Sequence, residues 1–179
     1  YYPFHQSMYD AASHFRFDTL DSLHTAMLQL AMLGYTADVL TEEMIDRGDL
    51  KHYKVVVAPL LYYVPPKQRK ALEGFIDSGG TILNGSASTL SLKGSRQIDL
   101  DFRAFSNALH RWSVQAPLDA ASAYVQGELR RTAPLIRREL EKVFLPHARP
   151  AKDRMLIQTA SAGKARYTFA CNFLFPSFM

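Results

Sequence analysis

The chain has 179 residues, 47% of them hydrophobic and 21% charged, which is the composition of an ordinary globular protein long enough to bury a core of its own. No apolar run approaches the roughly 20 residues that span a bilayer and no signal-peptide pattern is present, so neither a membrane-spanning protein nor a membrane partner is expected. The formal net charge of +4 is uneven: Lys/Arg against Asp/Glu count 11 and 13 over residues 1–127, 8 and 4 over 128–154, and 2 and 0 over 155–179, so the basic excess is C-terminal. The lone Cys171 rules out an internal disulfide framework. Opening at Tyr1 without a methionine and closing at Phe178-Met179 after an apolar run, the chain reads as a piece of a longer protein, and no compartment is assigned.

Tyr1 to Phe17 interleaves Tyr1, Tyr2, Phe4, Tyr9, Phe15 and Phe17 with His5 and His14 and reads as irregular, with Tyr1 to Phe4 either the tail of a strand or the loop after it. Asp18 suits a helix N-cap, and Leu20, Leu23, Met27, Leu30, Ala31 and Leu33 recur at helical spacing up to Gly34. Tyr35 to Leu40 reads as a short strand. Thr41 is placed to cap a brief helix whose first turn carries Glu42 and Glu43, acidic groups that suit the positive helix end, and Gly48 stops it. Leu50 and Tyr53 are expected beneath a sheet.

Tyr53 to Ser86 has a separate cause for each boundary. Val55, Val56 and Val57 suit a strand buried on both faces, because β-branched side chains pack well on a pleat and parallel strands need not alternate. Pro65-Pro66 opens a helix at positions whose N–H would go unpaired anyway. Leu72, Phe75, Ile76 and Gln68 share one face of that helix, while Lys67, Arg69, Lys70, Glu73 and Asp77 point to water. Gly79 can adopt the left-handed ending, and Thr81-Ile82-Leu83 begins the next strand. Strand, helix and strand in that order imply a parallel pair with a right-handed crossover.

The pattern YKVVVAP at 53–59 followed by QRKALEGFIDSGGTIL at 68–83 resembles the third strand, helix and fourth strand of the class I glutamine-amidotransferase-like fold. It is most similar to the version inserted in family 42 β-galactosidases as the trimerisation domain, and LGYTADVLTEEMIDRGDLKHYKVVVAP at 33–59 extends the likeness to roughly residues 18–86. The resemblance implies an α/β fold, flavodoxin-like or amidotransferase-like, with an open, mostly parallel sheet and helices on both faces. Residues 1–154 would form that domain, its first strand truncated.

Beyond Ser86 the pattern changes. Ser86 to Gln97 reads as a Ser/Gly-rich loop, Phe102 to Trp112 as a helix, and Val125 to Phe144 as a longer helix that Pro134 should interrupt. Leu145 to Asp153, with Pro146 and Pro150, reads as a linker. Met155 to Thr159 and Arg166 to Phe173 read as a hairpin turned through Ser161 to Lys164, so residues 155–179 are expected at a sheet edge or leading into a following domain.

Open α/β sheets bind ligands beyond the carboxyl ends of their strands. The loops there, Tyr1 to Ser7, Pro59 to Tyr63 and Asn84 to Ser88, offer His5, Ser7, Tyr62, Tyr63, Asn84, Ser86 and Ser88. Such a set can hydrogen-bond and stack on a carbohydrate; equally, the tyrosines can pack on a neighbouring domain or subunit and the serines form the turn. Amidotransferases carry a cysteine nucleophile flanked by glycines on a sharp strand-to-helix turn. The corresponding turn here is Asn84-Gly85-Ser86-Ala87-Ser88, and Cys171 lies in a strand-like segment without glycines, so no catalytic residue carries over. Gly85-Ser86 and Gly94-Ser95 do not complete the G-x-S-x-G elbow. Six scattered histidines show no metal-ligand spacing and the glycines no phosphate-binding pattern, so neither a metal nor a cofactor is expected. The basic residues Arg130, Arg131, Arg137, Arg138 and Lys142 alternate with Glu128, Glu139 and Glu141, the pattern of a solvated, ion-paired helix face rather than a nucleic-acid partner.

These features describe a non-catalytic module for oligomerisation or interdomain assembly in a larger, glycoside hydrolase-like protein, as the resemblance implies. Its partners would be other domains of the parent protein or further copies of itself. Two alternatives stand beside it: a carbohydrate or small-ligand binding module at the strand-end loops, and a hydrolase using Ser86.

Overall fold

Three parallel strands carry the first part of the chain: β1 (Val55–Ala58), β2 (Thr81–Gly85) and β3 (Arg96–Ile98), paired in that order. Val55 stands opposite Thr81 and Ala58 opposite Asn84, and Leu83 to Gly85 run beside Arg96 to Ile98. The computed structural model describes residues 1–14, 18–103, 118–146, 155–162 and 165–172. The chain divides into two units, one of Tyr1–Ala26 with Val39–Ser106 and the other of Met27–Asp38 with Asn107–Met179.

In the first unit the helices are α1 (Phe4–His14), the start of α2 (Asp18–Met32), α3 (Glu42–Asp46) and α4 (Pro66–Asp77), with a 3-10 turn at Asp49–His52. Thr41 caps α3 as its sequence suggests: its hydroxyl accepts from the Met44 amide at 3.3 Å. Gly48 and Gly79, with φ of 82° and 94°, take the left-handed turns that follow α3 and α4. Leu72 of α4 is buried among Val56, Ala58, Leu61 and Ile82, and Phe75 and Ile76 pack against the same cluster. Leu50 belongs to that core and Tyr53 lies beside it. Ile82 and Leu83 point to opposite faces of β2, yet both are fully buried, so the sheet is covered on both sides. This is an open parallel α/β sheet with helices.

Several expectations are corrected. The stretch read as irregular from Tyr1 contains helix α1, because Pro3 offers its carbonyl to the Ser7 amide (3.0 Å) and nothing breaks the helix after it. Among the described residues Tyr35 to Leu40 forms no ladder; Thr41, just after it, makes an isolated parallel bridge with Tyr2, and the Tyr2 amide donates to Leu40 O at 2.9 Å. Ser86 to Gln97 is not wholly loop, since β3 starts at Arg96, too short and polar a strand for its apolar pattern to show. β1 is not buried on both faces: Val56 and Ala58 are buried while Val55 and Val57 are half-buried. Of the helix expected at Phe102 to Trp112, Phe102 and Arg103 are helical and the remainder lies outside the described residues.

The second unit holds α5 (Leu118–Leu140), β4 (Met155–Ala162) and β5 (Ala165–Asn172). Pro134 sits inside α5 without ending it, contrary to expectation. Ile136 and Leu140 are buried, Gln29 Nε2 donates to Thr132 Oγ1 at 2.8 Å, and Tyr35 meets Phe144 edge-on at 5.3 Å. β4 and β5 form the expected antiparallel hairpin, Met155 opposite Asn172 and Leu156 opposite Cys171. The linker expected at Leu145 to Asp153 lies outside the described residues from position 147. The local ion pairs of the basic segment are present: Arg131 with Glu128 at 2.6 Å, and Arg138 and Lys142 with Glu139 at 3.2 and 2.7 Å.

Candidate functional site

The loop after β1 is held by a side chain that the sequence did not mark. Gln6 of α1 is fully buried; its Oε1 accepts from the Tyr62 and Tyr63 amides at 2.8 and 3.0 Å, and its Nε2 donates to Leu60 O at 3.0 Å and Thr19 Oγ1 at 2.9 Å. One turn later Asp10 accepts from the Thr19 amide (3.3 Å), from the Thr19 hydroxyl (2.5 Å) and from the Tyr62 hydroxyl. Residues four apart share a helix face, so Gln6 and Asp10 together make the inner face of α1 a polar clamp. Buried polar groups satisfied this fully rigidify a structure, since losing any partner strands the other in a dry site.

The seven strand-end candidates fall into separate environments. His5 Nδ1 meets the buried Glu42 carboxylate, which also accepts from the His5 amide (3.3 Å) and the Tyr1 hydroxyl (3.5 Å). Burial pushes the Tyr1 hydroxyl well above the usual phenol range, and the Glu42 charge adds to that shift. Ser7 accepts from the Tyr2 hydroxyl at 2.9 Å. Tyr62 is committed to Gln6 and Asp10 through amide and hydroxyl, whereas among the described residues Tyr63 is tied by its amide alone and is 48% exposed.

At the carboxyl end of β2, Asn84 is buried, donates to Ser95 Oγ at 2.9 Å and, among the described residues, leaves its Oδ1 without a partner. The Ser86 amide donates to Leu100 O (2.9 Å) and its carbonyl accepts from Gln97 Nε2 (3.2 Å). Ser88 Oγ accepts from the Leu61 amide at 2.9 Å, joining this turn to the loop after β1. Gly85 permits that approach: a Cβ there would overlap the Pro59 carbonyl and the Phe102 ring. Among the described residues no histidine is hydrogen-bonded to Ser86 and no cluster of His, Cys, Asp or Glu could hold a metal ion.

The outer face of α1 is the less expected feature. Phe4, His5, Met8, Tyr9 and Ala12 are exposed, and at 100° per residue they form one stripe opposite Gln6 and Asp10. The helix is thus polar inside and largely apolar outside. The same i, i+4 spacing in Phe4/Met8 and Gln6/Asp10, starting just after Pro3, was the available signal.

An open parallel α/β unit whose strand-end loops are tied to α1, to β3 and to each other, and whose exposed helix face is apolar, has the build of a module that contacts protein. The sequence profile of the beta-galactosidase trimerisation domain matches residues 6–96, just over half of the 179, and the chain belongs to that family. No curated protein and no solved structure matches it.

Proposed function

We propose that this chain is an assembly module that holds together the copies or domains of a larger, carbohydrate-active protein. The family match over residues 6–96 is the observation that carries this reading, because it covers all but the first two residues of α1, the whole of α3, α4, β1 and β2, and reaches the first residue of β3. The internal commitment of Gln6, Asp10, Tyr62 and Ser88 supports a structural rather than a catalytic use of the strand-end loops. The amidotransferase-like or flavodoxin-like arrangement is part of the proposal. Its support is that the Tyr1 nitrogen donates to Val57 O at 2.5 Å while Tyr2 bridges Thr41, which puts this segment between β1 and the chain near Leu40. Such an arrangement has the flavodoxin-like order 2-1-3-4-5, with Tyr1-Tyr2 in the position of the first strand. Native mass spectrometry of the full-length protein tests the assembly role: a complex of several copies is expected, and a single copy at every concentration would contradict it.

A second reading, a carbohydrate bound at the strand-end loops, is favoured only by the exposed ring of Tyr63. Calorimetry with a panel of sugars should then give binding that Tyr63→Ala abolishes; heats indistinguishable from dilution across the panel would end it.

A further inference from the structure

We infer that the outer face of α1, centred on Phe4 and Met8, is the surface through which one copy of this chain docks on another. The inference rests on the assembly role proposed above and adds where the contact lies. Six large apolar side chains are exposed among the described residues, and three of them, Phe4, Met8 and Tyr9, stand on this one helix at 50%, 54% and 59% exposure. Water ordinarily faces the polar side of a surface helix. Here the polar side is consumed: Gln6 and Asp10 are turned inward and hydrogen-bonded, so α1 cannot be rotated to hide its apolar stripe without stranding them.

The chemistry of the stripe selects the occupant. α1 has no Lys, Arg or Glu, and its one acidic residue, Asp10, is buried; the exposed His5 is already held by Glu42. Copies related by rotational symmetry can bring identical patches together, and a stripe bearing Lys or Glu would then oppose like charges. A stripe of Phe, Met, Tyr and Ala carries no such penalty, and methionine adapts its shape to a partner's surface. Four or five side chains are fewer than the 20–30 residues a stable interface uses on each side, so the stripe is the anchor of a wider contact.

Light scattering on the full-length protein compares wild type with Met8→Lys and with Val39→Lys, which alters an exposed apolar residue outside α1. Met8→Lys should raise the dissociation constant roughly 30-fold or more, as loss of an interface anchor does, while Val39→Lys leaves it near the wild-type value. In parallel, a bismaleimide should join copies of the Met8→Cys protein and not of wild type, which settles the matter even if Met8→Lys folds poorly. If Met8→Lys stays assembled and Met8→Cys fails to cross-link, the surface is wrong although the assembly role stands. A wild-type protein that is a single copy at all concentrations contradicts the assembly role itself, and this contact with it.

Discussion

In α4, Gln68 and Leu72 are buried and Phe75 and Ile76 pack toward the sheet, while Lys67, Arg69 and Lys70 meet water. In α1 the order is reversed, with Gln6 and Asp10 inside and Phe4 and Met8 outside. Both helices belong to the same unit and both obey the 3.6-residue period, yet the surface of α4 is finished by solvent and that of α1 is not. Periodicity locates a helix face, and hydrogen-bond partners decide which face is inside. A polar inner face is stable only where every donor and acceptor is answered, as Gln6 is by four groups from the loop and from α2.

Mutations that strike the two inner faces should separate these causes. Gln6→Ala leaves the Tyr62 and Tyr63 amides, the Leu60 carbonyl and the Thr19 hydroxyl without their partner, and a loss of about 4 kcal/mol in urea unfolding is expected. A loss under about 1 kcal/mol would mean the clamp is accessible to water. Leu72→Ala in α4 removes a fully buried side chain from the core and should lower stability by about 3 kcal/mol in the same measurement.

A control that touches neither helix is the pair Asp101 and Arg103, joined by side-chain contacts of 3.1 and 3.0 Å. Burial works to raise the Asp101 carboxyl, but hydrogen bonds from the Arg103 side chain and amide outweigh it and hold the group below the usual carboxylate range. A carboxylate depressed in the folded state stabilises above its unfolded value, about 4, and that contribution disappears as pH falls through the folded value. Asp101→Asn should therefore be less stable than wild type near neutrality, the gap closing in acid; a gap that is constant with pH would rule out the ionised pair as its source. The smallest effect belongs to the outer face: Met8→Ser should change the unfolding free energy of an isolated copy by less than about 0.5 kcal/mol, because its side chain already meets water there.

Much of the β1–α4–β2 unit was legible because its boundaries are set locally: Pro65-Pro66 opens the helix, Gly79 ends it, and three valines make the strand. Local chemistry also revealed the Thr41 cap and the β4–β5 hairpin. What stayed hidden depends on distant partners. Arg96 to Ile98 is a strand because β2 lies beside it, and Tyr35 to Leu40 is not a ladder strand although its composition suits one. Aromatic density made Tyr1 to His14 look irregular, since a helix that keeps its polar residues inward reverses the usual hydrophobic pattern. Among the site residues, Tyr62 and Tyr63 were named together; Gln6 holds both amides, and Asp10, unnoticed, distinguishes them by taking the Tyr62 hydroxyl.

Hydroxyl-radical footprinting of Met8 in the full-length protein across a dilution series reads out whether the apolar stripe of α1 faces another copy. Met8 is 54% exposed in the single chain. Its oxidation is expected to be slow in the assembled protein and to rise several-fold as dilution separates the copies, with Val39 unchanged. Oxidation of Met8 at one constant rate, from the assembled protein to the separated copies, would contradict it.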